Sequence, residues 1–105
     1  MSGRVVRDIK PPTDTKSLTF DFTSEMAIAE TISTKTVTAT VFSGTDANPS
    51  AIVSGAATHN GQQVFQLITA GVLGVVYTLL CTITTSAGQT LTQACYLAIM
   101  KEAVQ

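Results

Sequence analysis

Residues 74–100 constrain the fold of this chain most, because they predict a β-hairpin with one apolar face. Alternate residues are apolar in both halves of the segment, and a period of two is that of a strand buried on one side. The two apolar sets are Val75, Tyr77, Leu79, Cys81 and Ile83 in the first half, and Leu91, Cys95, Leu97 and Ile99 in the second.

The turn of this hairpin decides its register. A two-residue turn would pair Ile83 with Thr92 and would mix the apolar and polar faces. A three-residue loop at residues 86–88, with Gly88 left-handed as a G1 bulge, pairs Ile83 with Leu91 and keeps the apolar sets together. We therefore predict the three-residue loop.

Tyr77 and the two cysteines have predicted structural roles within the hairpin. Tyr77 follows residues 71–74 at the entry to a strand, which is the place of a tyrosine corner in an immunoglobulin-like sandwich; an ordinary buried tyrosine is the alternative. The predicted register places Cys81 and Cys95 diagonally, about 7 Å apart. A relaxed disulfide needs a shorter separation, so we predict two buried free thiols, which favour a reducing compartment.

Composition limits the possible partners. A chain of 105 residues with a net charge of -1 is one domain, and it has neither the basic field nor the aromatic platforms of a nucleic-acid-binding protein. Asp46 is the only charged residue between Thr36 and Met100. Such an uncharged body can pack against protein without desolvating ions, and a neutral surface without a function is the alternative. The apolar stretch at residues 64–83 has too many threonines, glutamines and glycines for a membrane span.

The first sixteen residues predict an extended N-terminal arm. They lack periodicity, no apolar run of a signal peptide follows the first charges, and two consecutive prolines exclude a helix. The arm is mildly basic, so we expect it to bind an acidic groove of a partner; a frayed terminus is the alternative. Its predicted contact residues are Arg4, Arg7, Lys10, Pro11, Pro12 and Lys16.

Alternation predicts further strands in residues 17–105, which we assign to one β-sandwich domain. Residues 18–22 form the first strand, and a helical turn capped by Thr23 or Ser24 follows, with Met26 closing an end of the sandwich. The two glutamates of this connection are expected to be solvated. Residues 31–42 form a long strand with a bulge near residues 33–34. Its outer face is a threonine ladder that we predict to contact protein, formed by Thr36, Thr38 and Thr40.

The middle of the chain predicts turns and shorter strands. Residues 43–50 have turn composition, and residues 51–53 form a short strand. Residues 55–58 then cross between sheets, and residues 59–61 form a tight Asn-Gly turn. Residues 63–69 form a strand that is apolar on both faces.

No residue pattern indicates catalysis or a cofactor. His59 is the only histidine and has no cysteine or carboxylate cluster to join. Asp46 and Asn48 are too few for a metal loop. The chain also lacks a phosphate-binding glycine motif and a close carboxylate pair. We predict a protein that is not an enzyme and binds no small-molecule substrate.

Five segments, in this order, resemble small virion proteins of tailed bacteriophages that have an immunoglobulin-like domain. The segments are Phe20-Asp21-Phe22, Thr31-Ile32-Ser33, Phe42-Ser43-Gly44, residues 71–77 and residues 84–90. The resemblance covers residues 18–100 and implies a capsid decoration or cement protein, a head fibre or a tail accessory domain. It implies no catalytic residues.

The predicted protein is an all-β, immunoglobulin-like sandwich of about seven strands with an N-terminal arm. We expect a structural component of a phage virion, assembled in the host cytoplasm, and most specifically a capsid decoration protein that binds the major capsid protein and copies of itself. A tail, baseplate or head-fibre subunit is the alternative within the virion. A cell-surface or carbohydrate adhesion domain and an enzyme accessory module are alternatives from other classes.

Overall fold

The structure, a computed structural model, describes residues 5–10 and 14–100, and this part of the chain forms seven β-strands and two short 3-10 helices. The strands are β1 (Val5–Lys10), β2 (Lys16–Asp21), β3 (Ile32–Ser43), β4 (Val53–Asn60), β5 (Gln63–Ile68), β6 (Val76–Thr85) and β7 (Thr90–Ile99). The 3-10 helices are Thr23–Glu25 and Pro49–Ile52. The prediction of an all-β chain is confirmed.

The strands form two sheets. A four-stranded sheet has the order β1-β7-β6-β3, and a three-stranded sheet has the order β2-β5-β4. All neighbouring strands are antiparallel except β1, which runs parallel to β7.

One apolar core joins the two sheets, because β2, β3, β5, β6 and β7 contribute fully buried or nearly buried apolar side chains to it. Burial of each such side chain contributes about 1.5–3 kcal/mol. The largest strand residues of this core are Leu18 and Phe20 of β2, Ile32 of β3, Ile68 of β5, Tyr77, Leu79 and Ile83 of β6, and Leu97 and Ile99 of β7.

The predicted hairpin register is confirmed. Ile83 pairs with Leu91 and Leu79 pairs with Cys95 across β6 and β7. Gly88 has a φ of +83°, which an L residue rarely adopts. The pattern of buried side chains therefore determined the turn, since a slip of one residue would have exposed every core position of β7.

The strand β1 corrects the expectation of a separate arm. Residues 5–10 are extended, as predicted, but they form the edge of the four-stranded sheet beside β7. Lys10 pairs with Ile99, and the backbone N–H of Met100 donates to the Lys10 carbonyl at 3.1 Å. Backbone pairing needs no side-chain periodicity, so the sequence pattern did not reveal this strand.

The middle of the chain differs from the predictions in three places. Residues 51–52 belong to a 3-10 helix and not to a strand. Residues 55–58 lie within β4, where the pairing with β5 is irregular between Ser54 and Thr58, and they do not cross between sheets. The β4–β5 turn consists of Gly61 and Gln62, since Asn60 already pairs with Gln63.

The connection between β2 and β3 is held by buried polar contacts. Met26 is buried there, as predicted, but the N-cap residue of the 3-10 helix is Phe22, and no side chain makes a capping hydrogen bond. Glu30 is buried and not solvated. Its carboxylate accepts the N–H of Ala27 at 2.8 Å and a short hydrogen bond from the Thr85 hydroxyl. Burial of this carboxylate is tolerated because these donors replace water.

Candidate protein-binding face

The outer face of β3, β6 and β7 is a regular surface three strands wide, and we call it the threonine face. The pairing of the three strands aligns its residues in rows, such as Thr36, Thr82 and Thr92, or Thr38, Leu80 and Ala94. Its members are Thr34, Thr36, Thr38, Thr40 and Phe42 of β3, Val76, Thr78, Leu80, Thr82 and Thr84 of β6, and Thr92, Ala94, Tyr96 and Ala98 of β7.

Hydrogen bonds between strands fix part of this face. The hydroxyl oxygens of Thr34 and Thr84 are 2.6 Å apart. The hydroxyl of Thr36 donates to the carbonyl of Thr82 at 3.4 Å. Threonine side chains are stiff at χ1, so a row of them forms a surface that loses little side-chain entropy when it is covered.

Three larger side chains stand on the threonine face. Leu80 lies in the middle of β6 and is 40% exposed. Phe42, which is 63% exposed, packs on Tyr96 with ring centroids 4.8 Å apart and planes tilted by 45°. A second register shift, between Val41 and Ser43, sets Phe42 apart from the regular ladder. Aromatic residues are enriched in protein interfaces, so this pair is suited to anchor a partner.

The threonine face has no charged side chain among its described residues. Lys35 is the only charged residue of β3, β6 and β7, and it lies on the other side of β3, opposite Ile83. Docking of a protein on this face therefore desolvates no ion, which removes the largest cost of covering a polar surface.

The structure separates the predicted contact residues into two groups. Thr36, Thr38 and Thr40 are exposed on the threonine face, where a partner can reach them. The remaining residues are those of the predicted arm. Arg4, Pro11 and Pro12 lie outside the described residues, as does the side chain of Arg7.

Lys10 is corrected as a contact residue, because it is fully buried. Its Nζ donates to the carbonyl of Ala70 at 2.6 Å. Burial lowers the pKa of Lys10, and the charge of Asp14 opposes this effect. A lysine anchored in this way closes the end of the sheet and is not available to a partner. Lys16 is half-buried at the start of β2, in the other sheet.

The structure places the residues with predicted structural roles inside the core or at the hairpin turn. Cys81 and Cys95 are buried and not bonded to each other. Tyr77 is fully buried, and its hydroxyl accepts the backbone N–H of Val72 at 2.9 Å. Gly88 makes the left-handed turn between β6 and β7.

Sequence reasoning missed Leu80, Tyr96 and Phe42 as surface residues. The signal was present for Leu80 and Tyr96, since each has the opposite parity to the apolar set of its strand. An apolar residue among the outward-facing, otherwise polar positions of a strand indicates an exposed contact. Phe42 had no such signal, because the bulge beside it interrupts the alternation.

Within the described ranges, no group of three or more His, Cys, Asp or Glu residues is placed to hold a metal ion. His59 is exposed on β4. The same part of the chain has no helix of the length and hydropathy needed to cross a membrane.

The model of one protein family matches residues 10–98, and the family is described as podophage GP4 fiber-tail adaptor protein gp77. The chain belongs to this family. A search of curated proteins found no match. A member of the gp77 family is a structural protein of a phage virion, is located in the virion and is assembled in the host.

Membership of the gp77 family bears on the predicted position within the particle. It confirms a phage virion protein whose partners are other virion proteins, and it is consistent with a protein that is not an enzyme. It gives no support to capsid decoration or to the major capsid protein as partner, and the predicted tail alternative fits it better.

Proposed function

We propose that this protein is an adaptor subunit of a podophage tail, which joins a fibre to the tail by binding one partner through the threonine face. The match of residues 10–98 to a family of fiber-tail adaptors supports this function more than any other observation. The uncharged threonine face supports the proposed site.

An adaptor needs a second binding surface, and we assign it to the end of the molecule where β7 stops. Val72, Leu73 and Met100 are between 44% and 52% exposed there. The loop and the strand end are held together, since the N–H of Gly74 donates to the carbonyl of Ile99 at 2.8 Å. Exposed apolar residues grouped at one end are typical of a contact surface, and this end lies apart from Leu80 in mid-strand.

We also propose that the chain has an immunoglobulin-like topology. The orders β2-β5-β4 and β7-β6-β3 correspond to the strand orders B-E-D and G-F-C of that sandwich. The hydrogen bond between Val72 and the Tyr77 hydroxyl supports a tyrosine corner at the start of the sixth strand. Such a sandwich presents a rigid sheet face, which suits a subunit that has to hold two other proteins in place.

Leu80 and Leu67 provide a matched test of the binding face. Both leucines lie on the outer face of a central strand, with exposures of 40% and 49%, but in different sheets. Particles would be assembled in cells that supply Leu80→Lys, Leu67→Lys or the unchanged chain. The copies per particle and the fibres per tail are then counted by mass spectrometry and electron microscopy.

We expect Leu80→Lys to lower both counts at least tenfold, because a charge would be buried in the interface, and Leu67→Lys to leave them within twofold. Equal counts for the two variants would exclude the threonine face as the binding site. Density of a labelled chain over the capsid shell, with none at the tail, would contradict the adaptor function itself.

A further inference from the structure

The edges of the two sheets differ in how well they are protected against pairing with another strand. Natural sheets protect their edges with short strands, charges, prolines or bulges. The edge strand β1 has six residues, three of them charged, and β2 has a charged residue at each end. The edge strand β4 is irregular, with a left-handed Gly55 at φ +73° inside it.

The fourth edge, β3, has few charges, no proline and no bulge over most of its length, and its nearest neighbours on the open side, β4 and the second 3-10 helix, are not paired with it. It is the longest strand, at 12 residues, and contains no proline and one charge, Lys35. Its pairing with β6 is regular from Thr34 to Val41, between the two register shifts. On the other side of β3 no strand is paired in the described part of the chain. Eight regular residues therefore present alternate backbone N–H and C=O groups to the outside.

The sequence of this edge is complementary to itself in antiparallel pairing. If two copies pair about Thr38, Thr36 lies opposite Thr40 and Val37 lies opposite Ala39. Lys35 then lies opposite Val41, so no like charges face each other across the pair. Each threonine pair stabilises neighbouring strands by about 0.2–1 kcal/mol.

A groove beside β3 has room for the side chains of an added strand. It is lined by residues 35–37, Val53, residues 55–57 and Gln66, and its volume is about 310 Å³. In the pairing about Thr38, Ala39 and Val41 of the second copy point to the same side as Val37 and Lys35, where the groove lies. Both side chains fit within this volume.

We infer that two copies of this chain associate through β3, in antiparallel pairing about Thr38, to form one continuous sheet across both molecules. The dimer has twofold symmetry, since the same strand serves on both sides. The pairing uses the edge of the sheet and stands independently of what the threonine face binds.

Sedimentation and amide hydrogen exchange of the purified full chain test this dimer. Thr38→Lys places two ammonium groups opposite each other, and Thr19→Lys puts the same charge on the exposed face of β2 as a control. We expect a dimer for the unchanged chain and for Thr19→Lys, and at least tenfold weaker dimerisation for Thr38→Lys. Both variants should keep the thermal midpoint of the monomer, because both sites are exposed.

Amide hydrogen exchange distinguishes pairing of the two β3 strands from other contacts between the two copies. Between Thr34 and Val41, the alternate amides that point away from β6 should exchange at least tenfold more slowly in the dimer than after dilution to monomer. A monomer at every concentration, a Thr38→Lys dimer of unchanged affinity or unprotected edge amides would each overturn the inference. A monomer that still joins fibre to tail would overturn it and leave the proposed function standing.

Discussion

The hydroxyl of Tyr77 donates to Oδ2 of Asp46 at 2.6 Å and accepts the N–H of Val72. Asp46 also accepts the N–H of Asn48 at 2.9 Å, which fixes the loop between β3 and the second 3-10 helix. One buried hydroxyl thus ties two loops to the start of β6. The hydrogen bonds that Asp46 accepts from Tyr77 and Asn48 lower the pKa of Asp46, whereas burial raises the pKa of Tyr77.

Removal of this hydroxyl tests its contribution to stability. We expect Tyr77→Phe to lower the free energy of unfolding by about 1–3 kcal/mol, because Val72 and Asp46 each lose a partly buried hydrogen bond. Chemical denaturation measures the change. Tyr96→Phe, on the half-exposed threonine face, is the control and should change stability by less than about 0.5 kcal/mol. A double-mutant cycle with Asp46→Asn should give a coupling of about 0.5–3 kcal/mol, and additive effects would contradict the link.

Glu30 should make the stability of the protein depend on pH. The hydrogen bonds from Thr85 and Ala27 lower the pKa of Glu30 below its ordinary value of 4.5, and burial opposes them only in part. A carboxyl group with a lowered pKa in the folded state stabilises the fold above its unfolded pKa. This contribution is therefore present above pH 4.5 and is lost as the pH falls through the folded pKa.

Denaturation midpoints measured from neutral to acidic pH test the effect of Glu30 on stability. The difference in denaturation midpoint between the unchanged chain and Glu30→Gln should be largest near neutral pH and should shrink as the pH falls below 4.5. In Thr85→Val the strongest donor is lost, so the pKa of Glu30, followed by carbon NMR, should rise. A constant difference between the two chains at all pH values would show that Glu30 is not held ionised by these contacts.

Substitution of Gly71 and of Gly74 by alanine distinguishes the cost of a steric clash from that of backbone strain. Both glycines are left-handed, with φ of +104° and +89°. A Cβ at Gly71 would lie 2.8 Å from the buried side chain of Ile99, whereas one at Gly74 would meet no atom within 4 Å. We expect Gly74→Ala to cost about 1–2 kcal/mol through strain alone. Gly71→Ala should cost about 1–3 kcal/mol more, and equal thermal midpoints would argue against the close packing on Ile99.

The two cysteines should be inert in the folded protein. Burial raises the pKa of Cys81 to about 12, so its reactive thiolate is scarce at neutral pH. Cys95 is also buried, and its Sγ donates to the carbonyl of Tyr96 at 3.8 Å. We expect iodoacetamide to label neither thiol in the native chain and both after unfolding, as mass spectrometry will show. Rapid native labelling of either residue would place it at the surface.

The hairpin of β6 and β7 could be predicted in detail because a period of two with a single buried face permits only one register. Alternation also predicted the bulge of β3 near residues 33–34, and the structure confirms it with a register shift between Ile32 and Thr34. The candidate face was predicted in part. Thr36, Thr38 and Thr40 followed from alternation, but Phe42 and Tyr96 come together across an intervening strand, and no local pattern encodes such a contact.

The sequence by itself determined the class of fold, the hairpin register and the absence of charge from the threonine face, since each depends on residues close along the chain. Only the tertiary structure decided that β1 completes the sheet beside β7, that Lys10 is buried against Ala70, and that β3 is left as an edge. The first two are contacts between distant segments, and each uses at least one backbone group of a kind that every residue has. They depend on which strands meet in space, and side-chain patterns carry little information about that choice.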